Sequence, residues 1–271
     1  MGKVKIKRKS TLIDMTAMSD VTVLLLTFFM LTSTFLQKEP TIVYTPSSVS
    51  EEKVPMNNLV TVLISSADKS GKLDHPEAAE GKIFMSFTGD ADSTLSSEKI
   101  RGLILDEALS VYNEQHRNNP VNITPQMRAE FEKTNMFGSP FQALPDLLSM
   151  SITERDKVMG NMTDPRVGIP IDSNRDREGR LNDFQIWLKA IYNVAQRINN
   201  DQKANLENPE DAATLVNLYG ELMRKGDGIA IKADKDTPFT TVQLVFDNLQ
   251  TMKLNKFSLM TALKSEDEPT N

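Results

Sequence analysis

The chain has 271 residues, with 31 lysines and arginines against 37 aspartates and glutamates, a formal net charge of −6. That balance argues against a globally basic nucleic-acid binder, and the absence of cysteine excludes disulfide scaffolds, thiolate zinc sites and cysteine nucleophiles. At 39% hydrophobic residues, the chain is long enough for one or two domains with buried cores.

The charge is sharply polarised. Lys3, Lys5, Lys7, Arg8 and Lys9 fall within the first ten residues without an acid, a local +5 that leaves −11 for the rest. Residues 1–14 read as a basic N-terminus. The 22 residues from Met15 to Leu36 are mostly apolar, enough at ~1.5 Å per residue to cross a hydrocarbon core of ~30 Å as one transmembrane helix in lipid. A cleaved signal peptide would end in small residues, and Thr34-Phe35-Leu36-Gln37-Lys38 offers no such site. The basic flank places the N-terminus in the cytoplasm and everything after Gln37 outside it.

Asp20 stands near the cytoplasmic end of this span. A carboxylate there is costly unless paired, hydrated or protonated. Counting in sevens gives Thr27 and Thr34, and counting back four gives Thr16, so these hydroxyls share a polar stripe with Asp20. Two readings follow: the aspartate marks the interface where the helix begins, or it takes up and releases protons on a proton pathway. The threonine stripe favours the second.

Pro40, Pro46 and Pro55 mark residues 37–58 as an extended linker, with a short strand possible at Thr41 to Pro46. Leu59 to Ser65 reads as a strand, Asp68 to Gly71 as a turn and Lys82 to Phe87 as a second strand. Leu95 to Gln115 reads as a helix capped by Ser96 or Ser97, with Ile100, Leu103, Ile104, Leu105 and Ala108 inward. Residues 117–227 read as a mostly helical insertion. It has short helices at Gln126–Glu132 and Ile152–Met159, and then a hairpin of Leu181–Asn199 and Pro209–Lys225 in which Trp187 is a core residue. Ile229 and Ile231 alternate as a strand, Thr237 as N-cap and Pro238 as first helical residue form a helix entry, and Val242, Val245, Phe246 and Leu249 make one apolar face. Residues 264–271 read as a disordered tail.

Ile13-Asp14-Met15-Thr16-Ala17-Met18-Ser19-Asp20-Val21, followed by Leu24-Leu25-Leu26-Thr27-Phe28-Phe29-Met30, resembles the N-terminal signature of the ExbD/TolR family of biopolymer-transport proteins. The family's functional aspartate falls on Asp20 and its helix-entry threonine on Thr16, while Ala17 stands where the family has proline. The stretch from Gly228 through Ala233-Asp234, Thr237-Pro238-Phe239 and Val245 to Leu249, with Lys256 to Thr261 beyond, is similar to the family's closing strand-helix-strand. Thr41-Ile42-Val43-Tyr44-Thr45-Pro46 resembles the family's extended segment just outside the membrane, with Thr45 in place of the usual leucine. There the resemblance makes Ile42, Val43, Tyr44 and Pro46 candidates for partner pairing.

The fold implied is a single N-terminal transmembrane helix plus a small periplasmic α+β domain, residues 59–116 and 228–263, carrying the helical insertion. The function implied is a proton-driven motor subunit of a bacterial inner membrane. It would be a homodimer within an ExbB/TolQ-type pentamer, passing work to a TonB-type protein or, in a TolR-like role, to the Tol-Pal envelope system. The reading from a different class is a passive single-span scaffold whose external domain binds a partner or cell wall.

No enzyme, cofactor or metal site is expected. Asn174 to Gln185 has the spacing of a calcium loop, but Asn and Gln occupy its end positions and Arg175, Arg177 and Arg180 crowd it, so a salt-bridged helix entry is the better reading. His75 and His116 lie far apart without clustered acids.

Overall fold

The computed structural model describes residues 15–32, 39–41, 43–48, 59–66, 81–89, 96–173, 179–204 and 228–263. The chain forms two compact units, Met1–Lys38 and Glu39–Asn271.

In the first unit, helix α1 runs Met15–Thr32. Its 18 residues rise about 27 Å. Among the described residues no helix is long and apolar enough to cross a membrane. The span expected over 15–36 is thus described only to Thr32, and the basic N-terminus and residues 33–36 lie outside the described residues.

The second unit is built on a five-stranded mixed sheet of order β4-β3-β2-β5-β6, comprising β2 (Leu59–Ser65), β3 (Lys82–Thr88), β4 (Met136–Phe137), β5 (Ile229–Ala233) and β6 (Ser258–Leu259). β2 pairs antiparallel with β3, Val62 opposite Met85, and parallel with β5, Val62 beside Ile231. Side chains alternate across a strand, so Val60, Val62 and Ile64 share one face with Ile83, Met85, Phe87, Ile229 and Ile231, while Leu63 and Phe84 face the other way. The sequence motif of alternating apolar residues is thereby buried on both sides.

Helix α2 (Ser97–Gln115) covers the first face, its N-terminus capped by the Ser96 hydroxyl, which accepts the Lys99 N–H. Ile100, Ile104, Leu105 and Ala108 are buried there as expected, and Leu103 is partly buried. Four further α-helices lie in the described part of the insertion: α3 (Pro125–Lys133), α4 (Leu144–Ser149), α5 (Ile152–Met159) and α6 (Asp183–Ala204). α5 opens with a complete capping box between Ser151 and Glu154. The closing helix α7 (Phe239–Thr251) turns Val245 and Leu249 into the core.

The described part of the insertion does not stand off from the sheet. Trp187 of α6 is fully buried, stacked on Phe131 at 5.8 Å and Phe141 at 4.9 Å and tilted against Phe137 at 4.4 Å. These rings belong to the same core as Val62 and Met85. Offset aromatic packing of this kind adds about 0.5–1.5 kcal/mol per pair beyond area burial. Two residues of the insertion even join the sheet: β4 pairs with β3 at Met85 and Ser86. The second arm of the expected hairpin, Pro209–Lys225, lies outside the described residues, as do the turn 68–71 and the tail 264–271.

One local expectation differs. Thr237 does not cap α7; the cap position is Pro238, and the Thr237 hydroxyl instead donates to the Ile64 carbonyl at 3.3 Å. The described end of the calcium-like spacing is a helix entry, as expected: Asn182 Oδ1 accepts the Gln185 N–H at 2.9 Å while Gln185 Oε1 accepts the Asn182 N–H at 3.3 Å, and residues 174–178 lie outside the described residues. Gln185, the last position of that pattern, is therefore occupied by capping.

Candidate functional site

The residues that the sequence brings forward fall on two places, one in each unit. On α1, the side chains from Met18 to Leu31 are all exposed. Leu25 is 51% accessible and Leu31 87%, with Val21, Val23, Leu24, Leu26, Phe28, Phe29 and Met30 between them. Apolar side chains thus stand exposed around the helix, interrupted by Asp20 and the hydroxyls of Ser19, Thr22 and Thr27. Asp20 is the sole charged side chain of α1.

The Thr27 hydroxyl, seven residues on from Asp20, donates to the Leu24 carbonyl at 2.9 Å. Its proton is committed within the helix, which leaves the oxygen as an acceptor on the aspartate's face. Thr22 does the same toward Met18 at 2.6 Å. Of the expected stripe, the side chain of Thr16 and all of Thr34 lie outside the described residues.

In the second unit the segment after residue 38 is not a free linker. It is a strap across the second face of the sheet. Glu39 pairs with Lys232 of β5, both carboxylate oxygens 2.8 Å from Nζ. Thr41 and Val43 are buried, Val43 packing with Leu63, Phe84, Met162 and Val167. The Tyr44 carbonyl accepts the Lys235 N–H at 2.8 Å. The short strand expected at Thr41–Pro46 forms instead directly after it: β1 (Ser47–Ser48) pairs parallel with β7 (Ala262–Leu263). Of the candidate pairing residues, Val43 is therefore turned inward, Tyr44 is 64% exposed, Pro46 is exposed, and Ile42 lies outside the described residues.

Sequence reasoning missed Glu39 and Lys232 as partners. They are 193 positions apart, and no local spacing signals such a contact. It also missed a buried amide network at the back of the sheet. Asn182 Nδ2 donates to Asn248 Oδ1 at 2.8 Å, and Asn248 Nδ2 donates to the Asp172 and Leu244 carbonyls at 2.7 Å each. This ties α6 to α7 with its polar groups satisfied. An open groove of about 690 Å³ lies where Lys82 and residues 165–171 meet the exposed ring of Phe239 at the start of α7. Among the described residues no group of His, Asp and Glu has the arrangement of a metal site.

Residues 7–136, just under half of the chain, match the family model described as biopolymer transport protein ExbD/TolR. Residues 7–136 therefore carry an ExbD/TolR-family domain. The match takes in α1 with Asp20, the strap, β2, β3, α2 and α3, and ends on the first residue of β4. The ExbD/TolR domain therefore stops before β5, yet β5 lies between β2 and β6 in the same sheet. Chain closure of the domain depends on residues on the far side of the insertion. No curated protein and no solved structure matches the chain. A domain of this family implies a subunit that energises biopolymer transport, and the mixed-sheet α+β unit is consistent with the family's fold.

Proposed function

We propose that this chain is an ExbD-like subunit driven by the proton-motive force, anchored in a bacterial inner membrane by α1 and the residues up to Leu36. Its N-terminus is cytoplasmic and its second unit periplasmic. Two copies act within an ExbB-type pentamer, and the periplasmic unit passes work to a TonB-type protein that opens transport across the outer membrane. The observation that carries this reading is a single carboxylate, Asp20, on a helix whose apolar side chains are exposed.

The cost of that charge in hydrocarbon is what makes the helix respond to protonation. In hydrocarbon the ionised carboxylate seeks polar groups on the surrounding ring, and the neutral acid does not. Alternate protonation in two copies then changes which side of the ring each helix prefers. One proton crossing ~100 mV releases about 2.3 kcal/mol, enough to bias such a step repeatedly. Thr27, with its oxygen open on the same face, extends the polar path away from Asp20; Thr16 and Thr34 continue the stripe in sequence. The strap, with Tyr44 exposed on it, is where a pull on α1 first enters the periplasmic unit. No step requires a cofactor or metal, and the chain is not an enzyme.

The test is deletion of the gene in its own host, scored for uptake of a cargo that needs energised outer-membrane receptors and for detergent resistance. Lost uptake with an intact envelope is the expected result. A leaking envelope with uptake preserved would assign the chain to a Tol-type system, and no change in either would leave a passive scaffold.

A further inference from the structure

The groove of about 690 Å³ at the start of β3 plays no part in the role given to Asp20. Its walls are mostly apolar, with Pro165, Pro170 and Ile171 from one segment and Phe239 and Leu244 from α7. The Phe239 ring is 72% exposed. These walls are fastened to the sheet and to each other. The Thr241 hydroxyl accepts the Gly81 N–H at 3.1 Å, which ties the first turn of α7 to the entry of β3. The Gly168 N–H donates to the Gly138 carbonyl and the Ile169 N–H to the Ile83 carbonyl, both at 2.9 Å, which holds the 165–171 segment along the sheet edge. The groove is therefore formed before anything enters it.

Its charge is one-sided. Among the described residues that line it, Lys82 alone is charged. The Lys82 stem passes over Gly168, where φ is +95° and a Cβ would stand 2.8 Å from Lys82 Cδ, so the bare glycine gives the lysine its seat. No side chain caps α7, and the Phe239 and Thr240 N–H groups of its first turn have no partner within a helix, so they add partial positive charge to the same wall. The neighbouring acids are engaged elsewhere. Asp164, close enough to feel Lys82, is held through both oxygens by Arg166. Asp172 Oδ1 accepts from Asn182 Nδ2 at 3.1 Å, and Asp234 Oδ1 accepts the Asp236 N–H at 3.3 Å. Asp236 is exposed two residues before Pro238 and does not line the groove.

We propose that this groove docks an extended acidic segment of a partner protein, with an apolar side chain against Phe239 and Pro170 and a carboxylate on Lys82 and the first N–H groups of α7. Charge complementarity selects this occupant. The chain as a whole carries −6, so a basic segment is attracted to much of its surface, whereas an acidic one gains where the local sign is reversed, as it is here. An extended segment turns alternate side chains to opposite sides, which lets one residue meet the ring while the next meets the lysine.

The experiment titrates the full-length chain, in lipid nanodiscs, into a labelled short peptide of alternating glutamate and valine and follows fluorescence anisotropy. A peptide of alternating lysine and valine is the counter-probe. Saturable binding of the acidic peptide alone is expected. Lys82→Met, which keeps a stem over Gly168 and removes the charge, should weaken it about three- to fivefold and flatten its decline between about 0.05 M and about 0.5 M salt. Phe239→Ala, at an exposed position, should weaken it about tenfold with the salt dependence kept. No saturable binding, equal binding of the lysine peptide, or binding unchanged in both variants overturns the docking site. Tighter binding after removal of residues 264–271, which include Glu266, Asp267 and Glu268, also overturns it, by giving the groove to the chain's own acidic end. Should Lys82→Met fail to fold, Phe239→Ala decides alone. The binding needs no proton gradient, so its failure would leave the energising role standing.

Discussion

Gly138 shows how narrowly the sheet edge is fitted. It follows β4, its carbonyl accepts the Gly168 N–H at 2.9 Å, and a Cβ added there would meet the Phe84 ring and stand 2.6 Å from the Ile83 carbonyl. Backbone does not yield as a flexible side chain does, so Gly138→Ala must push β4 away from β3. We expect a loss of about 1–3 kcal/mol, read as a lower urea midpoint with an unchanged slope. Asp20 presents the opposite situation. It has no close packing to disturb, and all its weight lies in charge. An isosteric Asp20→Asn therefore separates the carboxylate's chemistry from the helix's shape, which no substitution at Gly138 could do.

Elements with a strong local pattern were legible, and those made by distant contacts were not. β2 is found at Leu59–Ser65 and α5 at Ile152–Met159, where their local residue pattern puts them. Ser96 caps α2 for the same local reason. β4 has two residues, too few for any period to register, and it exists because Met136 and Phe137 find the free edge of β3. The strap was read as a linker because its prolines and hydroxyls argue for extended chain. Extended it is, but Leu63 and Phe84, on the outward face of strands already counted as buried, supply a seat that sequence spacing does not reveal. α7 starts one residue late because Thr237 spends its hydroxyl on Ile64 across the sheet, a tertiary contact overriding a local capping signal. The strap's hold is testable on this basis. Val43→Ser should cost about 1–2 kcal/mol by lost apolar burial and a hydroxyl placed among apolar side chains. Amide exchange at Lys235, whose N–H is held by Tyr44, should quicken while that of Ile231 in β5 stays slow. Equal acceleration at both would mean that the strap is part of the core and has no separate release.

At the scale of the whole molecule, the family match and the fold divide the chain differently. Residues 7–136 carry the family's pattern, yet the sheet is completed by β5 and β6 from beyond the insertion, and the core is completed by Trp187 from within it. The insertion is therefore packed as structure, whatever it also binds, and its removal would strip rings from the core of the second unit. The described part of the first unit is a helix whose one charged side chain is Asp20, and the role proposed for the chain turns on that acid. The most direct test is Asp20→Asn in the chromosomal gene, with energised uptake and recovery of the assembled membrane complex measured on the same cells. The account predicts uptake reduced to the level of the gene deletion with the complex recovered in wild-type amount. Full uptake by Asp20→Asn cells would contradict it.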